Sequence, residues 1–295
     1  MIYFLLVLSV VTASGKALFG KALGLRGASL KKSMFLNFQA FAVSLIFSLI
    51  FTIPKLGGFF TISPYSVILA LIFALSTTIT QITQSKAMSM GSSSIVSLIY
   101  SFGFTVPIIY GLFVWHENVS VFQYLGLALL IVAIVLIIGK KEKTEKRGLG
   151  WFWLALIAML GSGTNGIIQK THQTSAFSGE FELFLVYVML FSTIITGLAT
   201  LIVKDKNDAT ENDMIPLWKK IVPPIGLGLC VCALNFVNLY LSGKLPTIIM
   251  FPIYNVGNLL LTIVVSAIIF KDKTTAIQNI GLCVGIVAIL VIGLL

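Results

Sequence analysis

Apolar residues run along the chain in ten windows, at about 2–21, 34–53, 64–86, 93–115, 121–139, 150–170, 181–203, 219–241, 247–270 and 275–294, separated by short polar stretches. Each window is close to the roughly 20 residues that a helix needs to cross about 30 Å of hydrocarbon. Within lipid the backbone is satisfied only by helices or closed barrels, and these windows are too long and too uniformly apolar for barrel strands. The pattern therefore predicts an all-α polytopic membrane protein with ten transmembrane helices. The four tryptophans, Trp115, Trp151, Trp153 and Trp218, all fall at window ends, where amphipathic rings collect at the lipid–water boundary. The first window, MIYFLLVLSVV, has neither a basic leader region nor an A-x-A-like cleavage site, and reads as a retained span.

The pattern repeats. Gln123-Tyr-Leu-Gly126-Leu127 and Ile131-Val-Ala-Ile134 recur 155 residues later as Gln278-Asn-Ile-Gly281-Leu282 and Ile286-Val-Ala-Ile289. An offset of 154 pairs Tyr100 with Tyr254, Gly103 with Gly257, Gln81 with Asn235 and Gln84 with Asn238. Apolar coincidences between hydrophobic segments are cheap, but in-register polar pairs inside two spans are not, so the chain reads as a duplication. The expected organisation is a first five-helix repeat at 1–139, a basic linker at 140–149 and a second five-helix repeat at 150–295. Five is odd, so the two halves should be inverted with respect to one another, a plan common in secondary transporters, whose sites lie between the halves near the membrane midplane.

Composition narrows the class further. Of the 295 residues 58% are hydrophobic and 10% charged, against about 25% charged in an ordinary soluble domain. Such a chain lacks the polar residues to cover a soluble surface, and the same numbers exclude disorder, coiled coil and collagen. The net charge of +10 comes from 20 basic and 10 acidic residues. Counted by connection, 16 of the basic residues fall in odd-numbered loops and 3 (Lys55, Lys170 and Lys244) in even-numbered ones, with Lys16 inside the first span. That asymmetry is a topological signal placing the odd loops in the cytoplasm and both termini outside, rather than a nucleic-acid surface. Cys230, Cys232 and Cys283 lie in apolar segments without a metal-ligand or disulfide spacing.

Polar residues inside spans carry the candidate chemistry. Lys16 is the clearest basic residue within a span, and such groups are expensive enough to be functional candidates by default. It either snorkels to the interface beside Lys21 or offers positive charge to a carboxylate or phosphate on a substrate. Thr77, Gln81 and Gln84 share a helical face in the third span, and Asn235 and Asn238 occupy equivalent positions in the eighth. These either line a shared polar cavity or tie helices together, and their recurrence across the duplication favours the cavity. Tyr254, Asn255 and Asn258 stand beside Pro252 and Gly257, while Tyr100 precedes Pro107; Pro and Gly can break helices beside a site. Among acidic residues only Glu180 and Glu182 stand at a span entry with access to the membrane interior, making Glu182 the coupling candidate. The first span has no carboxylate. No Walker A, H-E-x-x-H or G-x-S-x-G sequence is present, so neither ATP hydrolysis nor another enzymatic activity is expected, and no cofactor is implied.

SGTNGIIQK (Ser162 to Lys170), opening the second half, resembles the W-G-s-n-f-v-a-i-K motif of the drug/metabolite transporter superfamily, in its ten-helix EamA-like branch. ASGKALFGK (Ala13 to Lys21) is a weaker copy, pairing Lys21 with Lys170 and Lys16 with Asn165. His116-Glu117 and Lys271-Asp272 stand where that family usually has Gly-Glu, each followed by Q-x-x-G. Ser162 and Ala13 depart from the family's Trp. The resemblance spans nearly the whole chain and implies a multi-pass carrier of the plasma or inner membrane that moves a small polar metabolite, amino acid or drug by alternating access. It adds Asn165 to the candidate substrate residues and draws both termini in the cytoplasm, against the lysine count. The expected partners are a small-molecule substrate and the bilayer, with the carrier a monomer or a homodimer. A lipid-carrier flippase or a non-transporting membrane partner of the same fold is the alternative.

Overall fold

A computed structural model describes residues 1–23, 29–55, 61–91, 93–138, 149–203, 217–269, 271 and 275–294. Residues 140–148 of the expected linker, Arg26 and Asp272 lie outside them, as does the side chain of Trp218. Regular structure among the described residues is entirely helical: α1 (Ile2–Ala22), α2 (Leu30–Thr52), α3 (Pro64–Met90), α4 (Ser93–Ser101), α5 (Thr105–Phe113), α6 (Val121–Ile138), α7 (Gly150–Thr174), α8 (Phe181–Ile202), α9 (Leu217–Ser242), α10 (Thr247–Ile269) and α11 (Ala276–Leu294). Ten segments are long and apolar enough to cross a membrane, with α4 and α5 counted together as the fourth.

Local chemistry explains the helix ends. Ser29 caps α2 by accepting from the Lys32 amide at 3.3 Å, and Ser63 caps α3 by accepting from Ser66 at 3.2 Å, with Pro64 pre-set at the first helical position. Ser120 and Gln123 form a reciprocal capping box ahead of α6, and Thr275 and Gln278 form the same box ahead of α11. The turns before these boxes each contain one non-glycine residue with a left-handed backbone, His116 (φ 50°) and Lys271 (φ 56°). The break between α4 and α5 is a 3-10 turn at Phe102–Phe104, where Pro107 has no N–H to donate to the Gly103 carbonyl. Pro252, expected as a possible breaker, instead lies inside a continuous α10.

The helices pack in a pattern that reads the same from either half. α2 packs on α8 and α6 on α11; α1 packs on α9 as α3 does on α7; α2 meets α9 as α8 meets α3; α1 meets α10 as α7 meets α4 and α5. Glycines fit these crossings. A Cβ at Gly126 would lie 2.5 Å from Ile292, and one at Gly281 would lie 2.9 Å from Ile137, the same contact displaced by 155 residues in each partner. Likewise Gly103 lies against the Met159 carbonyl and Gly257 against Val10. One core cluster gathers around Phe104, Ile134, Met250 and Ile292, a second around Phe73, Phe184, Met189 and Leu239. The outer surface exposes Ile46, Ile68, Leu75, Val132, Leu198 and Val287, an apolar coat in keeping with ten helices long and apolar enough to cross a membrane.

Candidate functional site: a polar cavity closed at one end

A cavity of about 460 Å³ lies between α1, α2, α3, α4, α7, α9 and α10. Its lining includes all ten residues singled out in the sequence as substrate candidates: Lys16, Gln81, Gln84, Tyr100, Asn165, Asn235, Asn238, Tyr254, Asn255 and Asn258. Helical periodicity accounts for the convergence on α3, where Thr77, Gln81 and Gln84 lie along one stripe. Lys16 is exposed into this space. The cavity reaches the helix ends carrying Lys21, Ser33, Ser85 and Ser266, which belong to the odd-numbered connections. Glu182, the expected coupling group, is not among the lining residues: it lies in the first turn of α8, and α8 supplies no wall.

Most of the amides are oriented by their neighbours. Asn165 Nδ2 donates to Thr77 Oγ1 at 3.1 Å, and Gln169 Nε2 donates to Asn235 Oδ1 at 3.5 Å. Ser9 donates to Asn238 Oδ1, Thr262 donates to Asn258 Oδ1 at 3.1 Å, and Ser14 donates to the Asn258 carbonyl at 3.2 Å. Asn235 and Asn255 spend their amide hydrogens on the Val231 and Phe251 carbonyls of their own helices. These residues thus both line the cavity and tie helices together. Among the described residues that line the cavity, two buried acceptors have no hydrogen-bond partner, Gln81 Oε1 and Asn165 Oδ1. An unpaired buried acceptor costs its desolvation without return, and so marks a place for a donor from outside the protein.

The opposite end is closed by residues that sequence spacing did not join. Lys170 and Glu117 form an ion pair with side chains 9% and 12% exposed. The Thr247 amide and hydroxyl donate to Glu117 Oε2 at 2.7 and 2.5 Å, Lys170 also donates to the Leu245 carbonyl at 3.2 Å, and its ammonium lies 5.2 Å from the Trp115 ring centre. The turn after α5, the last turns of α7 and the start of α10 are thereby tied to one carboxylate. Lys170, counted above as a loop lysine, sits inside α7, which runs four residues past its expected end. The family likeness had named Lys170 and Glu117 separately; no sequence signal paired them.

Beyond this end, Glu180 accepts from the Ser63 amide and hydroxyl at 3.0 and 2.7 Å, and Ser66 meets Nε2 of the fully buried His172 at 3.1 Å. His172 also stacks on Phe184 at 3.9 Å. This cluster anchors the start of α3 to the end of α7. No group of three or more metal-ligating side chains occurs among the described residues.

No family model matches the sequence, and no curated protein matches it. Among solved structures, the crystal structure of one protein superposes with a TM-score of 0.81 over 99% of this chain and 97% of its own, at 10% identity. At that identity the likeness shows a shared fold alone.

Proposed function

We propose that this protein is a secondary transporter that moves a small polar metabolite, amino acid or drug by alternating access between two inverted five-helix halves, and that it belongs to the EamA-like branch of the drug/metabolite transporter superfamily. The observation that carries this reading is the asymmetry of the central cavity: its lining runs from Lys16 to the helix ends carrying Lys21, Ser33 and Ser85, while the Lys170–Glu117–Thr247 cluster lies beyond its other end and is no part of the lining. Alternating access requires one open and one closed end around a single site. The helix pairing that is unchanged on exchanging the halves supports the inverted repeat. The left-handed backbones at His116 and Lys271 support the family likeness, since those positions match the family's glycines and glycine adopts that conformation without strain.

The alternative is a lipid-carrier flippase, for which the specific observation is an outward-facing apolar groove between α3 and α7 lined by Ile72, Leu75, Ile79, Ile157 and Leu160; Ser76 donates to the Gly161 carbonyl at 3.1 Å within it. The protein works as a multi-pass carrier of the plasma or inner membrane, without a cofactor and without chemistry on its substrate. Reconstitution into liposomes, loaded with a metabolite mixture and assayed for exchange, tests this. Saturable exchange over empty liposomes is expected, and its absence across polar metabolites would end the transporter reading.

A further inference from the structure

We infer that the cavity selects a small organic anion bearing hydrogen-bond donors and rejects organic cations; this rests on the carrier reading above. The lining contributes two lysines, Lys16 and Lys21, and no carboxylate among the described residues that form it. Lys21 is already engaged, with Ser266 at 3.5 Å among its contacts, so the attraction is assigned to Lys16. Lys16 stands five residues deeper along α1, level with the amide-rich part of the cavity. A cavity walled by low-dielectric helices focuses the field of such groups, so an entering cation is repelled and an anion is drawn to Lys16.

The remaining polarity has the complementary sign requirement. Gln81 Oε1 and Asn165 Oδ1 are acceptors with no partner, on α3 and α7, the two helices facing α1 and α9 across the space. Both atoms have almost no accessible surface, so each side chain must turn toward the cavity to take a ligand hydroxyl or amine hydrogen; a bare hydrocarbon chain would leave them unpaired. The aromatic rings of Phe73, Tyr100, Phe104 and Tyr254 complete the wall and accommodate an apolar portion. The cavity volume of about 460 Å³ suits one metabolite-sized molecule. The shared chemistry recognised is an anionic oxygen group, supplied by either a carboxylate or a phosphate monoester, with donor groups a few atoms away.

The test uses purified full-length protein in liposomes exposed to four size-matched pools of six-carbon compounds: hydroxycarboxylates, sugar phosphates, amino sugars and neutral polyols, with internal accumulation read by mass spectrometry. Entry of members of either anion pool is expected. It should weaken about ten- to a hundredfold in Lys16→Met, the factor for losing one hydrogen bond to a charged group, and persist in Lys16→Arg. Within the active pool, hydroxylated acids should outcompete hexanoate. Entry of amino sugars or polyols without the anions would overturn the inference and leave the carrier reading intact, as would anion entry indifferent to Lys16→Met in a protein that remains folded. Hexanoate competing equally would overturn the donor requirement. Entry of no pool would remove the carrier reading and the inference with it.

Discussion

The Lys170 ammonium and the Glu117 carboxylate, 53 residues apart, meet in a nearly dry contact that also captures the amide and hydroxyl of Thr247. One carboxylate therefore holds α7, α10 and the turn after α5 together at a single end of the bundle. A pair of this kind is worth little relative to apolar replacements, but removing one partner strands the other charge, at a cost of about 3–5 kcal/mol.

Glu117→Gln should accordingly lower the thermal midpoint, and Glu117→Met with Lys170→Met should recover most of the loss. If the pair is the closed end of an alternating-access cycle, Glu117→Gln also increases labelling of a cysteine at Thr247 by a membrane-impermeant maleimide. Labelling at the wild-type rate in the folded variant would mean that the pair does not hold this end shut.

Gln81 and Asn238 separate binding from stability. Because Gln81 Oε1 has no protein partner, Gln81→Leu should leave the thermal midpoint unchanged or raise it slightly, while substrate exchange falls. Asn238→Leu removes the interhelical bond from Ser9 and should cost about 0.6–1.7 kcal/mol. A Gln81→Leu protein that transports normally would reduce the amide to packing.

His116 and Lys271 occupy left-handed backbone, which costs a residue with a Cβ about 1–2 kcal/mol. His116→Gly and Lys271→Gly should each stabilise the protein by about 1 kcal/mol, less the greater freedom of glycine in the unfolded chain. Calorimetry or fluorescence-detected unfolding in detergent measures this, and a fall in midpoint for both would contradict the strain argument.

Orientation follows from the charge count. The odd connections carry most of the lysine and arginine, so the cavity end lined by Lys21, Ser33 and Ser85 should face the cytoplasm. A cysteine at the exposed Ser89, at the end of α3, should then react with an impermeant reagent only after the cells are opened. Labelling in intact cells would reverse the assignment and agree with the family's usual drawing.

Span number and extent were legible because each span is a local property: about 20 apolar residues suffice to commit a segment to a helix in lipid, and seven of the ten expected windows end within three residues of the observed helices at both ends. The longer errors are informative. α3 and α7 extend four residues beyond their windows, to Met90 and Thr174, because polar residues such as Lys86, Lys170 and His172 interrupt hydropathy without interrupting a helix whose neighbours or solvent accommodate them. The recurrence of Gln123 as Gln278 has a local structural consequence, since each forms a capping box ahead of its helix.

The chain alone thus dictated ten apolar helices, their repeated order and the polar stripes that converge on the cavity, since hydropathy, capping and helical periodicity act over a few residues. Tertiary structure decided which end of the cavity is shut, which amides are spent on neighbours and which acceptors stay unpaired. Those outcomes depend on contacts between segments far apart in sequence: Lys170 finds Glu117, Ser9 finds Asn238 and Gln81 Oε1 finds no partner among the described residues, and no local pattern distinguishes the three.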